Sequence, residues 1–337
     1  MVSSQPRLRI AVIGAGPAGL AAAIEFAKLP FLREIGTGIS IQRNTWRLLD
    51  AFGLYDNIDP ETVFRAADGH AVQHRNGRTG ELLSSHGQSE TPLRHQHARA
   101  LRSVLQQALL KTIDPSRLRL SSRLVEITET VRGIDLLVGA DRVRSVVRQF
   151  AFSDHRIAYT AKIAYRALVD AEKVLSIPNF PDAVIFWHGP KDWVYTCNLN
   201  QGIYEVREVK KFALFAGPPL ATLVSCGSIA LVGDASHPLS GAFGDGAGFA
   251  LEDVFVLVRA IEWAHTRGRS IREALNLYDL VRSPYYKSLY AVLDGFRRSD
   301  DNISDSMGFD DAVFMTVTNK WEEGAHWMYH YDVRFFV

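Results

Sequence analysis

Six residues near the start of the chain, Gly14-Ala15-Gly16-Pro17-Ala18-Gly19, have the spacing G-x-G-x-x-G. The chemistry that spacing serves is the holding of a dinucleotide's pyrophosphate. Gly14 permits a tight turn, Gly16 lets backbone approach the phosphate oxygens, and Gly19 lets a helix lie close to a strand. A helix opening at Pro17, with Ala18 in its first turn, adds free N–H groups and partial positive charge. The flanks agree: Leu8–Ile13 is an apolar run suited to a buried parallel strand, and Ala-rich Pro17–Leu29 favours a helix. A glycine-rich turn that binds nothing is the competing reading. The usual companion is an acid about 20 residues on, at the end of a second strand, where it holds a ribose hydroxyl. Glu34 lies at a suitable distance, but no strand pattern precedes it, so it is not assigned to the ribose.

A second segment runs from Leu231-Val232-Gly233-Asp234-Ala235-Ser236-His237-Pro238 through Gly244-Asp245-Gly246-Ala247-Gly248 to Leu251-Glu252-Asp253. It resembles the Gly-Asp motif of the flavin-dependent aromatic monooxygenases, the salicylate hydroxylase-like group. The resemblance implies that Asp234 contacts the ribityl or pyrophosphate region of FAD and that Gly246 and Ala247 face the flavin's pyrimidine edge. A helix N-terminus there would stabilise negative charge on reduced flavin. The alternative is an Asp that merely caps the next helix. Gly139-Ala140-Asp141-Arg142-Val143-Arg144-Ser145 is similar to a further element of the family, in which a glycine follows the Asp; here that glycine is either replaced by Arg142 or lost, and a basic loop at a helix start is the competing reading. His237 has no Ser or Cys nucleophile pattern beside it and reads as structural.

The same resemblance implies that NADPH or NADH reduces FAD and that the reduced cofactor uses O₂ to hydroxylate a small aromatic, phenolic substrate. Arg166, in the family-like Ala164-Tyr165-Arg166, is the candidate for stabilising a phenolate, since a guanidinium lowers the pKa of an adjacent phenol. A sheet-edge arginine paired to an acid is the other reading. Trp193, Tyr195 and Cys197 alternate along one strand face, so Tyr195 is a candidate for the pocket wall or for plain core packing. Arg99 falls on an expected helix, Arg99–Leu110, whose family counterpart contributes an arginine near the flavin; a surface charge is equally compatible. A reductase or dehydrogenase of the same fold, and a shortened FAD-binding relative without turnover, remain open.

The elements that must position these residues alternate between strand and helix at both ends of the chain. In between, Ala151–Phe215 is rich in aromatic and β-branched residues with turn dipeptides. The expected architecture is α/β: a Rossmann-like FAD-binding domain (1–75, 92–150 and 218–290), a β-rich substrate domain inserted in it (76–91 and 151–217), and a C-terminal helical segment (291–337). Ser270 should cap a helix over Ile271–Val281, which Pro284 interrupts. Against the family, three stretches look short: Phe31–Leu32, Glu129–Gly133 and Glu208–Lys211. Either segments are missing there, or the protein is a shortened relative. A parallel sheet without an internal strand would leave backbone groups unpaired, which favours missing segments and predicts a chain break in each window.

Composition narrows the function classes. The 38 basic and 37 acidic residues leave a net charge of +1, so no global field favours nucleic acid or an anionic membrane. Apolar residues at 47% and charged residues at 22% are those of a soluble globular protein. No apolar run is long enough to span a bilayer, and no signal-peptide layout opens the chain. Two cysteines, Cys197 and Cys226, argue against a disulfide framework or a Cys-rich metal site and fit a reducing, cytoplasmic compartment. No metal is expected, and the protein should be a monomer or homodimer.

Overall fold

The computed structural model describes residues 8–27, 38–113, 122, 124, 126–127, 134–239, 243–304, 306–321 and 326–336. The expected apolar runs become a sheet in which β1 (Ile10–Ile13), β7 (Leu136–Gly139) and β13 (Ile229–Leu231) pair in parallel, with β12 (Val224–Ser225) added antiparallel at one edge. Both faces are covered, which is why these strands carry apolar residues without alternation. On one face lie α1 (Pro17–Ala27), α3 (Arg102–Leu110), α6 (Gly246–Thr266) and α7 (Ile271–Asp301), which with α2 (Arg43–Ala51) share the main core. On the other, Val147 and Phe150 of α4 (Val146–Ala151) pack with Leu137, Ile229 and Leu231.

Two further sheets stand beside this unit. The smaller is antiparallel, in the order β2 (Gly38–Ile41), β6 (Ala98–Leu101) and β3 (Val63–Phe64). The larger has β4 (His70–Asn76), β5 (Leu82–Gly87), β8 (Ala158–Asp170), β9 (Ile185–His188), β10 (Trp193–Asn198) and β11 (Ile203–Ala216), in the order β5-β4-β9-β10-β11-β8. Only β4 and β9 pair in parallel within it. The short α5 (Ala171–Leu175) follows β8, α8 (Phe309–Trp321) packs on β4 and β5, and α9 (Trp327–His330) packs on α2.

Three expectations are corrected. Arg99 is not helical: Ala98–Leu101 is a strand, because both its edges are taken by β2 and β3 and that pairing overrides local helix preference. Pro284 does not interrupt α7, which runs unbroken to Asp301. Proline removes one N–H, leaving the carbonyl of Leu280 without its helical partner; Leu280 is on the surface, where water can serve instead. The helix does start at Ser270, in a reciprocal capping box with Glu273. Finally, the chain is continuous through Glu208–Lys211. It runs there as part of β11, whose pairing with β8 steps from Val206–Ala167 to Lys210–Arg166, so the intervening residues bulge from the ladder. The windows at Phe31–Leu32 and Glu129–Gly133, and Glu34, lie outside the described residues. Among those described, β1 has a strand neighbour on one side only.

Candidate active site

Gly14, at the end of β1, has φ +117°, and a Cβ there would lie 2.2 Å from the carbonyl oxygen of Ala140 just past β7. A Cβ on Gly19 would lie 2.2 Å from the carbonyl oxygen of Gly14. These two glycines therefore let the turn nest between strand and helix. Gly16 differs: its added Cβ would meet only an Arg102 nitrogen at 3.7 Å, and its own surface faces a cavity. Backbone open to a cavity at the start of a helix is what close approach of a phosphate requires.

The Gly-Asp segment forms a tight turn after β13, with Gly233 at φ +60° and Asp234 in a 3-10 turn. The N-cap of that turn is Val232, so the Asp234 side chain does not cap it. Asp234 is exposed and lines the cavity. Crowding by protein raises its pKa, while Arg102, Arg142 and Arg148 pull it back towards the ionised form. Gly246 and Ala247 open α6 beside it on the cavity wall.

A buried network holds this turn, and only part of it was visible in the sequence. Asp253 of α6 accepts hydrogen bonds from the Gly233 N–H at 2.9 Å, Tyr286 Oη at 2.8 Å and Arg282 Nε at 2.8 Å. His237 Nε2 lies 3.2 Å from it, and the ring stacks on Tyr286 at 4.2 Å. Burial keeps that imidazole well below its usual pKa, which makes His237 a neutral structural partner. Arg282 also reaches Glu252 at 3.0 Å, and Asn44 Nδ2 bridges Glu252 Oε1 and Asp245 Oδ2 at 2.9 and 3.0 Å. Burial raises Glu252 to about 7 against the pull of Arg282 and Asn44, and pushes Asp245 well above the carboxylate range.

The third segment closes the other side. Asp141 accepts from Ser145 Oγ at 2.5 Å and the Val146 N–H at 2.7 Å, fixing the start of α4. Arg148, 2% exposed, donates to the carbonyl oxygens of Asp234 and Ala235 at 3.1 and 2.9 Å, so it ties α4 to the Gly-Asp turn. Arg142 sits at φ +69°. The chain keeps the left-handed turn that glycine favours and accepts the strain of a side chain in it.

These elements surround one cavity of about 820 Å³. Gly16, Ala18, Asp234, Gly246 and Ala247 line one part, and Arg99 and Tyr195 another. Gly14 and Gly19 are not on its wall. Arg99 is buried rather than a surface charge: it donates to Ser40 Oγ at 2.7 Å and Glu205 Oε2 at 2.5 Å, with its guanidinium over the Tyr195 ring at 5.1 Å. Arg166 lies in β8 opposite Lys210, and its side chain is outside the described residues. Several cavity residues carried no sequence signal, notably His74, His188 and His326. They come from β4, β9 and the approach to α9, far apart in the chain, and no spacing rule links them.

No protein-family model matches the chain. It is 26% identical to the 3-amino-4-hydroxybenzoate 2-monooxygenase of Streptomyces platensis, over 85% of this chain and 87% of that protein. It is 24% identical to salicylate hydroxylase of Pseudomonas putida, over 85% and 83%. The solved structure of a salicylate hydroxylase substrate complex superposes with a TM-score of 0.75 at 18% identity, covering 97% of this chain and 96% of that one. The chain is a homologue of the FAD-dependent aromatic monooxygenases. Its fold is theirs. The 2-heptyl-3-hydroxy-4(1H)-quinolone synthase of Pseudomonas aeruginosa, 27% identical over 75% of this chain and 80% of that protein, belongs to the same set of relatives. The alignment with the Streptomyces platensis enzyme is 353 positions long, more than the 337 residues present here, so that relative carries stretches this sequence lacks.

Proposed function

We propose that this protein is an FAD-dependent monooxygenase that hydroxylates a small phenolic compound with NADPH or NADH and O₂. The observation that carries the reading is one continuous cavity, walled in part by the Gly16 turn, Asp234 and the start of α6, and in part by rings of the six-stranded sheet. The residues present suit a flavin dinucleotide. Gly16 leaves its cradle open, Asp234 offers an acceptor for ribityl hydroxyls, and Gly246 and Ala247 present backbone N–H groups at a helix N-terminus. FAD, when bound there, supplies the redox and oxygen chemistry. The chain's own part is to bind and orient: Arg148 and Asp253 hold the Gly-Asp turn from two sides, Arg99 is assigned to the flavin, and Tyr195 walls the substrate end. Arg166 is assigned to the phenolate, on the strand that also brings Lys162 and Ala164 to the cavity.

Among the described residues no helix is long and apolar enough to cross a membrane. Cys197 and Cys226 are both free thiols, in keeping with a cytoplasmic enzyme, acting as monomer or homodimer. Mixing the FAD-saturated protein with NADPH or NADH and a panel of phenols, while following flavin absorbance, oxygen uptake and products, tests the reading. Oxygen uptake tied to a hydroxylated product is expected. Flavin bleaching with no oxygenated product would make the protein a reductase, and neither signal would leave an FAD-binding relative without turnover. Arg166→Ala should slow hydroxylation while flavin reduction stays near normal; a variant normal in both half-reactions returns Arg166 to a structural role.

A further inference from the structure

The first turns of α2 and α6 lie side by side. Asn44 Nδ2 and Thr45 Oγ1 donate to the Asp245 carboxyl at 3.0 and 3.3 Å, and a Cβ on Gly248 would lie 2.5 Å from Thr45 Oγ1. The two residues just ahead of that clasp, Gln42 and Arg43, line the cavity, as do Gly246 and Ala247 of α6.

Neither Gln42 nor Arg43 has a partner in the protein. Gln42 is 8% exposed, and although it is the N-cap residue of α2 its side chain makes no capping bond. Among the described residues its amide has no hydrogen-bond partner, and both amide atoms stay accessible. Arg43 likewise makes no hydrogen bond or ion pair among the described residues; its Nε is buried, so the Nη end is what reaches the cavity. Its charged neighbours repel it. Burial and then Arg43 lower the pKa of Arg47, and burial, Arg43 and Arg47 lower that of His330, which is also on the cavity wall. Asp332 is already taken, by Arg47 at 3.4 Å and Arg334 at 2.7 Å. Burial pushes Asp245 well above the carboxylate range, so it offsets little of the charge. A cation in the first turn of a helix also opposes the helix dipole. An arginine that is half-buried, unpaired and set at a helix start works against the fold, and points to an anionic ligand.

We propose that Gln42 and Arg43 share with Gly246 and Ala247 the seat of the flavin's pyrimidine edge, and that the Arg43 charge there stabilises the reduced, anionic ring. The inference rests on the proposed function and names residues that set how readily the bound flavin is reduced. That edge alternates carbonyl groups with an N–H, and one amide can meet both as donor and acceptor. The oxidised ring is neutral and the reduced ring carries negative charge, so a guanidinium without a counter-ion favours one redox state over the other. A contact with the FAD phosphates would favour both alike.

The test is a redox titration of the FAD-loaded protein against a reference dye at pH 8, with a separate titration of oxidised FAD. Arg43→Gln should weaken binding of reduced relative to oxidised flavin about tenfold, the worth of one partly screened charge. For a two-electron couple that lowers the midpoint potential by about 30 mV. Oxidised FAD should bind the variant as it binds wild type, and the FAD-free variant should melt no lower, since the helix loses an opposing charge. Arg43→Lys should return most of the potential. Gln42→Met should weaken both redox states about tenfold, the cost of one hydrogen bond lost in the cavity. An unchanged potential in Arg43→Gln overturns the inference. So do an equal loss for oxidised and reduced FAD, a lysine variant no closer to wild type than the glutamine one, or unchanged FAD affinity in Gln42→Met. A wild-type protein that takes up no FAD would instead remove the proposed function, and the inference with it.

Discussion

Replacing Arg282 by Met should destabilise the protein by an amount that grows with pH. The side chain is fully buried, with Nε 2.8 Å from Asp253 and an Nη 3.0 Å from Glu252. Removing one partner of a buried ion pair costs about 3–5 kcal/mol, chiefly because the abandoned charge stays buried. Here two carboxyls are abandoned together, so the upper end of that range is expected at pH 8. The sign with pH follows from Glu252, whose pKa is raised from 4.5 to about 7 even with the arginine present. An acid raised in the folded state binds its proton where the unfolded chain has lost it, so stability falls as pH rises between the two values. In wild type that decline from Glu252 ends near 7. Without Arg282, which now opposes the rise at both carboxyls, the decline should continue above 7 at up to about 1.4 kcal/mol per pH unit for each extra proton held. Denaturant unfolding at pH 5, 6.5 and 8 reads this directly. A deficit that is the same at all three, or below about 1 kcal/mol, would mean that Arg282 contributes packing alone, since loss of a buried pair costs more. Because Asp253 also holds the Gly233 N–H, FAD affinity should drop in the same variant.

Three more outcomes separate folding from binding. Arg142→Gly should stabilise the protein by about 1–2 kcal/mol, seen as a higher unfolding midpoint, since it relieves a side chain at φ +69°. Gly16→Val should fold normally yet lose FAD in an equilibrium titration, whereas Gly14→Val should fail to fold well, because only the second drives a Cβ to 2.2 Å from backbone. Equal behaviour of the two would contradict the division of labour between these glycines. Asp234→Ala should weaken FAD binding by about tenfold with the melting curve of the FAD-free protein unchanged, as expected for loss of a ligand hydrogen bond to a charged group.

What could be read in advance was whatever chemistry is local. The parallel strands β1, β7 and β13 announce themselves because a strand covered on both faces needs apolar residues at every position. The turn at Gly14–Gly19, the turn at Gly233-Asp234 and the capping box at Ser270 are each complete within a few residues, so their spacing is enough. Even the odd Arg142 was locatable, though not that the chain would hold the left-handed turn regardless.

The rest depends on partners that the fold brings from far away. Arg99 became a strand residue paired with Glu205 because β2, β3 and β11 reached it, and nothing near residue 99 specifies them. Asp253 became the hub of the flavin turn through Gly233, Arg282 and Tyr286, and Pro284 is tolerated inside α7 where Leu280, whose carbonyl it leaves without a helical partner, is an exposed residue. The rings at the end of the cavity meet only when β4, β9 and the C-terminal helices close on one another. The chain by itself determined which strands must be buried and which turns can hold a dinucleotide, because backbone conformation and hydrophobic pattern act over a few residues. Which side chains share the substrate end was decided by the tertiary structure, since burial and hydrogen-bond satisfaction depend on all the neighbours at once.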